Sequence, residues 1–567
     1  MTADHMRPGR PHADASHSLE RVTRRRVLVL TLTGAGGVAL LAACAPAAPA
    51  QPAPTSAAAG APQAGATAAP VVSSGSGKTF VFARSGDSVT LDPPLTTENE
   101  SERAVVQVCE GLLMQAPGKT ELQPGLAEKW DTSPDGKVWT FTLRKGVKFH
   151  DGTDFNADAV VFNFDRWRLA DNPFHQGSFS VWKTTMGDYP GALVEAKALD
   201  ASTVRLTLDK PLGAFDSYLA AVAYAFTSPT AIQADPANVF KKPIGTGAFK
   251  FVEWKPGDRI VLERFDGYWG QKPGFDQVVM RVIQDPSARF LELKAGTIDA
   301  MDDPNPDDLA LADADPNLHS FPRDFWPVGT LNLNHLVKPL DDVRVRQALA
   351  YGIDRPGLMP LYAGQAQPGN QDQTPASWSF NPDLPPIAYD PAKAKDLLAQ
   401  AGHPDGFDIS FWYMPIGRPY FPKPKEIAEK MADDLGKIGV RAQLKTEDWG
   451  AYMTNRAGKY DMWLLGGWAS TSDPSWLIYD HWGSKKPAQG NYDNPQVRDL
   501  MNRAQFSIDR GQRTQWYREA AQLIYNDMAM VPVVFARAGT VLARKRVQSY
   551  PASPLRQEPY RAAALGD

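Results

Sequence analysis

Between Ala45 and Gly77 the chain carries no charge and no aromatic ring, only Ala, Pro, Gly, Ser, Gln, Thr and Val. Such a stretch cannot bury enough apolar area to offset the entropy of ordering it, so it reads as a linker. Any folded body must therefore start near Thr79 and stand apart from whatever precedes Ala45. What precedes it has the order of an export signal: Arg21, Arg24, Arg25 and Arg26, then an apolar run from Val27 to Ala43 broken by Thr31, Thr33, Gly34, Gly36 and Gly37. A membrane-spanning helix needs about 20 predominantly apolar residues, so the run is short and weak for a permanent anchor. Thr23-Arg24-Arg25-Arg26-Val27-Leu28 resembles a twin-arginine export motif, with ordinary Sec export as the alternative.

Leu41-Ala42-Ala43-Cys44 has the form of a bacterial lipobox, in which cleavage leaves the cysteine first and its sulfur takes a diacylglycerol. Residues 1–43 then form a signal peptide, and residues 44–77 a lipidated cysteine with its tether. The leader carries six Arg against three acids, which leaves −7 of the full chain's −4 for the part that begins at Cys44. An acidic balance argues against a nucleic-acid partner. Two cysteines, Cys44 and Cys109, exclude a disulfide framework and a four-thiolate metal site.

From Thr79 onward strand and helix signals alternate, as an α/β architecture requires. The length, 567 residues with 43% hydrophobic, supports about three to five domain-sized units and excludes wholesale disorder. Pro134-Asp135-Gly136 predicts a turn before a half-buried strand at Val138–Leu143. Asn156 predicts the cap of a helix starting at Ala157, with Val160, Val161, Phe164 and Trp167 on one face. Asp390-Pro391 opens a further helix and Gly402 closes it. Ile427, Met431, Leu435 and Ile438 mark the stripe of another, ending near Gly439 ahead of a strand from Val440 to Leu444. No repeat of 20–50 residues is present, which makes a solenoid improbable.

Catalytic and metal signatures are absent: no H-E-x-x-H, C-x-x-C or G-x-S-x-G occurs, and Gly75-Ser76-Gly77-Lys78-Thr79 lacks the first glycine of a phosphate loop, which is Val72 here. His150-Asp151 and His481-Trp482 read as surface or capping pairs, and the acids after Asp303 lack the spacing of a calcium loop. An exported chain of this size without recognisable chemistry leans toward binding; no catalytic residue, cofactor or metal is expected.

Gln123-Pro124-Gly125-Leu126-Ala127-Glu128-Lys129-Trp130, Ser133-Pro134-Asp135-Gly136 and the run from Phe141 to Gly152 resemble the family 5 extracellular solute-binding proteins of ABC importers. The match continues through Ile244–Phe249, Phe265–Trp269 and Pro339–Leu349. The dipeptide-binding members are the nearest in pattern. The resemblance implies a two-lobed α/β fold of the periplasmic-binding-protein type II kind, with an extra third domain and discontinuous domains. Lobe I would comprise 78–120, 230–325 and 536–567, the extra domain 121–229, and lobe II 326–535. A ligand would be held between lobes that close about two chain crossings.

Trp412-Tyr413-Met414-Pro415-Ile416-Gly417-Arg418-Pro419-Tyr420 is similar to the family segment whose arginine binds a peptide's terminal carboxylate, which places that role on Arg418. A guanidinium suits it, since it stays charged when buried and offers paired N–H donors. Gly466-Gly467-Trp468 also matches. In peptide binders an aspartate follows and meets the ligand's α-ammonium. Here the chain reads Ala469-Ser470-Thr471-Ser472-Asp473-Pro474, one residue shorter, with Thr471 at the acid's place and Asp473 as the structural acid before proline. Either Asp473 moves in to replace that acid or the ligand presents no such ammonium, and the second is the expectation. Trp412, Trp468 and Trp476 are candidates for the apolar walls, with a core role as the alternative.

The resulting expectation is a lipid-anchored monomer that is exported to the periplasmic or extracellular face of the membrane. It would capture a peptide or similar carboxylate-bearing solute and hand it to an ABC permease. The alternative from another class is a surface hydrolase acting on peptides or glycans. A third keeps the fold but reports to a sensor.

Overall fold

In the computed structural model, which describes residues 78–566 apart from 190, 457, 468 and 484–488, the main strand-forming stretches gather into three large sheets. The expected leader, the expected lipobox cysteine Cys44, the linker and Trp468 lie outside the described residues.

The first sheet has seven strands, in the order Leu318–Pro322, Thr540–Arg544, Ala300–Met301, Thr79–Arg84, Gln277–Val282, Arg259–Arg264 and Phe249–Lys255. Its centre is parallel, with Phe82 opposite Met280, and its flanks are antiparallel. Phe80, Phe82, Val278 and Met280, which share one face, are all fully buried, while Val81 and Val279 on the other face are half-buried. The helix Asn99–Val108 follows the first of these strands.

The second sheet has six strands: Ala366–Pro368, Met530–Arg537, Phe325–Leu333, Met462–Gly467, Phe407–Trp412 and Val440–Lys445. Its last two run parallel, and parallel neighbours need a crossover, which the helix Pro424–Gly436 supplies. Ile427, Met431 and Leu435 bury that helix against the sheet, while Ile438 lies just past its end and is buried too.

The third sheet is smaller and antiparallel: Ala127–Thr132, Val138–Leu143, Thr203–Leu208 and Leu193–Asp200. Along Val138–Leu143 alternate residues are buried, the pattern of a sheet with one covered face. The covering helix is Ala157–Arg168, whose first turn is capped by Asn156 accepting from the Ala159 N–H at 2.9 Å. Gly136 closes the preceding turn at φ +71°, a conformation that costs glycine nothing. The helix Pro391–Gln400 starts on the Asp390 cap, and Gly402 ends its C-terminal turn at φ +89°.

The chain passes between the first and second sheets at two places, through Arg323-Asp324 and through Ala538-Gly539. The two crossings lie side by side: the Arg323 N–H donates to the Gly539 carbonyl at 3.1 Å, and the Ala538 N–H to that of Asp324 at 3.1 Å. Gly539 has φ +95°, and a Cβ there would stand 2.9 Å from Asp303 Oδ1. Beneath the crossings lies a buried ionic cluster. Arg323 donates from Nη1 to Asp302 at 2.8 Å and from Nε to Glu558 at 2.5 Å, and Asp302 also holds Arg103 and Arg556. Burial alone would raise the Asp302 carboxyl, but the guanidiniums of Arg103, Arg323 and Arg556 hold it well below the usual range.

One residue pair differs from its sequence reading. Trp482, expected at the surface or in a cap beside His481, is 1% exposed and donates its indole N–H to the Asp372 carboxylate. Its ring packs among Ile478, Tyr492 and Met501 in a cluster that the local sequence does not announce.

Candidate ligand-binding site

Arg418 stands in a tight loop after the strand Phe407–Trp412. The loop is pinched by two backbone hydrogen bonds exchanged between Arg418 and Phe421, at 3.0 and 2.9 Å. The Arg418 guanidinium is half-buried and lies 5.3 Å from the centre of the Trp449 ring. That distance is a cation–π contact, which orients the group without neutralising it. No acidic side chain among the described residues pairs with Arg418. The buried Arg289, Arg346 and Arg355 also lack an acid but donate to backbone carbonyls, whereas the Arg418 guanidinium has no hydrogen-bond acceptor among the described residues.

Trp412 belongs to the same cluster. It stacks on Tyr460 with ring centres 4.1 Å apart, and Tyr460 leads through Tyr452 to Trp449, beneath Arg418. The indole N–H of Trp412 donates to Ser410 Oγ at 3.2 Å. Trp412 therefore serves as one end of an aromatic ladder that braces the arginine's platform.

The segment after Gly467 is reached from the Arg418 loop through Tyr420, whose ring lies so close to Gly466 that a Cβ there would be 2.6 Å away. Trp326 donates to the Ala469 carbonyl at 2.8 Å, and Gln557, from the C-terminal part that returns to the first sheet's body, donates to that of Ser470 at 3.3 Å. Thr471 is fully buried, with its hydroxyl 3.4 Å from the Asp473 carbonyl. Ser472 and Ser217, the latter in the helix Phe215–Leu219 beside the third sheet, share a hydroxyl hydrogen bond at 2.9 Å. All three sheet-bearing bodies thus meet on one short segment.

Asp473 is bound on both oxygens by Arg513, at 2.9 and 2.7 Å, and also accepts from the Ser475 N–H at 3.0 Å. A carboxylate held bidentately by a buried guanidinium is not free to meet a second cation. Asp473 thus fixes the start of the helix Ser475–Trp482 rather than replacing the acid missing at Thr471. Trp476 is half-buried and packs against the core beside the third sheet and against the cluster around Trp326.

Several contacting residues escape sequence reasoning: Trp449, Gln557, Ser217 and Glu102, the last accepting from Gln557 Nε2 at 3.1 Å. None sits in a motif. A cavity of about 600 Å³ including open space lies between the helix Asn99–Val108 and residues 220–225, with Gln557 in its lining, and does not include Arg418. No group of three or more ligating side chains among the described residues is placed to hold a metal ion.

Two α/β bodies joined by paired crossings, with a smaller sheet appended, define the type II periplasmic-binding-protein fold. The chain belongs to the bacterial extracellular solute-binding proteins, family 5, whose profile ("family 5 Middle") matches residues 121–489. It is 35% identical over 509 residues to the dipeptide-binding protein of Escherichia coli K12, covering 86% of this chain and 94% of that one. It is 32% identical over 550 residues to heme-binding protein A of Haemophilus influenzae, covering 93% and 97%. Among solved structures, the periplasmic binding protein DppA of Helicobacter pylori in complex with the peptide STSA superposes with a TM-score of 0.73 at 30% identity, covering 86% of this chain and 98% of that one.

Proposed function

We propose that this protein is the lipid-anchored receptor of an ABC importer, exported to the outer face of the membrane, and that it takes up a peptide or similar carboxylate-bearing solute for delivery to a membrane permease. Lobe I is built on the first sheet (78–120, 230–325 and 536–567), lobe II on the second (326–535), and the extra domain on the third (121–229). The ligand is held between the lobes and released unaltered, so no catalytic group is required. The relatives that match are named for binding, which favours this reading over a surface hydrolase.

The observation that carries the proposal is Arg418: a half-buried guanidinium on an aromatic platform, next to the three-body junction and with no acid paired to it among the described residues. A ligand carboxylate would complete it. Closure about the crossings then couples occupancy to shape, which a permease can read.

Calorimetry with a dipeptide panel, run beside small-angle scattering on the chain from Cys44 onward, tests the reading. Saturable binding with compaction and no turnover is expected. Absence of binding across the panel, or hydrolysis of its members, would overturn it.

A further inference from the structure

Buried acids in this protein are, with few exceptions, answered by cations. Asp92 meets Arg166, Asp302 meets three guanidiniums, Asp473 meets Arg513 and Glu558 meets Arg323. Glu110 and Asp372 instead accept from neutral donors, Glu110 from three of them and Asp372 from the Trp482 indole. Glu102 differs from all of these. It sits in the first turn of the helix Asn99–Val108 at 7% exposure, and its one side-chain hydrogen-bond donor among the described residues is the Gln557 amide, at 3.1 Å on Oε2. No Lys, Arg or His among the described residues pairs with it, and Oε1 has no partner there. The neighbouring charge that acts on it is Glu98, of the same sign.

Its position gives this a purpose. The Gln557 nitrogen that donates to Glu102 also donates to the Ser470 carbonyl at 3.3 Å, so one amide ties a helix of lobe I to the junction segment of lobe II. Gln557 is itself 7% exposed, and its Oε1 is enclosed without any hydrogen-bond partner, a second acceptor left open beside the first. The enclosed Gln557 Oε1 and Glu102 Oε1, which is not sealed off, together form at the meeting of the lobes a site for a donor-only cation. On the other side Thr471 and Asp473 are spent within lobe II.

Building on the interlobe reading above, we infer that Glu102 and Gln557 form an ammonium-binding subsite, so that the solute bears an ammonium group as well as the carboxylate met by Arg418. The acid absent from lobe II is then supplied from the opposite lobe, and the ligand's two charged ends are gripped by different lobes. Burial pushes the Glu102 carboxyl up to about 7, in keeping with a charge that lacks its counterion in the empty protein. The ammonium can be a backbone α-amine or a lysine side chain.

The test is calorimetry on the chain from Cys44 onward with three probes: Leu-Leu, N-acetyl-Leu-Leu and N-acetyl-Leu-Lys. The wild type is expected to bind at least one ammonium-bearing probe on the order of tenfold or more tighter than N-acetyl-Leu-Leu. Glu102→Gln, which keeps the shape and the bond to Gln557, should erase that preference while leaving N-acetyl-Leu-Leu unchanged. Loss confined to Leu-Leu assigns an α-amine, and loss confined to N-acetyl-Leu-Lys a side chain. Equal binding of all three by the wild type overturns the subsite whatever the variant does, as does an undiminished preference in folded Glu102→Gln; either leaves the receptor reading intact. Failure of the wild type to bind any probe overturns the receptor reading and the subsite with it.

Discussion

Arg418 holds its charge half in water and half over the Trp449 ring, so an arriving carboxylate replaces solvent rather than an existing partner. Arg418→Ala should weaken a carboxylate ligand by about 2–5 kcal/mol once the lobes enclose the pair. Arg418→Lys should recover only part of that, because a single ammonium cannot present the forked donors. Calorimetry with the cognate solute reads both, and unchanged affinity in the alanine variant would remove Arg418 from the site. Glu102 has a consequence for the empty protein as well. Its carboxyl lies at about 7 rather than the ordinary 4.5, a raised acid, so its contribution to stability is full below about pH 4.5 and is lost as the pH climbs through 7. Ligand-free Glu102→Gln should therefore match wild type at pH 4 and exceed it by about 3 kcal/mol at pH 8, an upper figure for a group that relaxes with its surroundings. Urea denaturation at the two pH values checks this, and equal stability at pH 8 would contradict it.

Helices and strands divide into those that local chemistry defines and those that distant partners define. The caps at Asn156 and Asp390, the turn at Gly136 and the stripe Ile427–Met431–Leu435 were legible because each rests on residues within a turn or two. The start of the helix Ser475–Trp482 is of the other kind. Its acid, Asp473, could be placed before proline from the sequence, but its partner Arg513 lies 40 residues on, in the helix Arg510–Asn526. The platform under Arg418 was illegible for the same reason: Trp412 is visible at a strand end, whereas Tyr460 and Trp449 reach it only through the second sheet. Glu102 and Gln557 are 455 residues apart, a pairing that no spacing rule proposes. Asp473→Asn should strand the buried Arg513 charge and cost about 3–5 kcal/mol in urea denaturation, with the slope of the transition unchanged. A loss under 1 kcal/mol would mean that the helix start does not depend on this pair.

At the scale of the whole molecule, the family resemblance made the two-body arrangement legible, because motifs from Gln123 to Gly467 fall in both bodies, while the crossings themselves carry no motif. Gly539 marks one of them. Gly539→Ala would force a Cβ into φ +95° and against Asp303, and should lower stability by about 1–3 kcal/mol in thermal unfolding; an unchanged midpoint would show that the crossing yields freely. The proposed tether predicts that Cys44→Ser moves the protein from the membrane pellet to the soluble fraction with its melting temperature intact, and retention in the pellet would refute lipid attachment. The cluster under the crossings also has a mechanical meaning. Among the described residues, every charge that grips Arg323 comes from the first sheet's body: Asp302 and Glu558 directly, Arg103 and Arg556 through Asp302. In the proposed closure the axle would thus stay bolted to one frame, with the second sheet's body turning against it like a door. Because these ions are sealed from solvent, brine and fresh water should leave the bearing equally stiff.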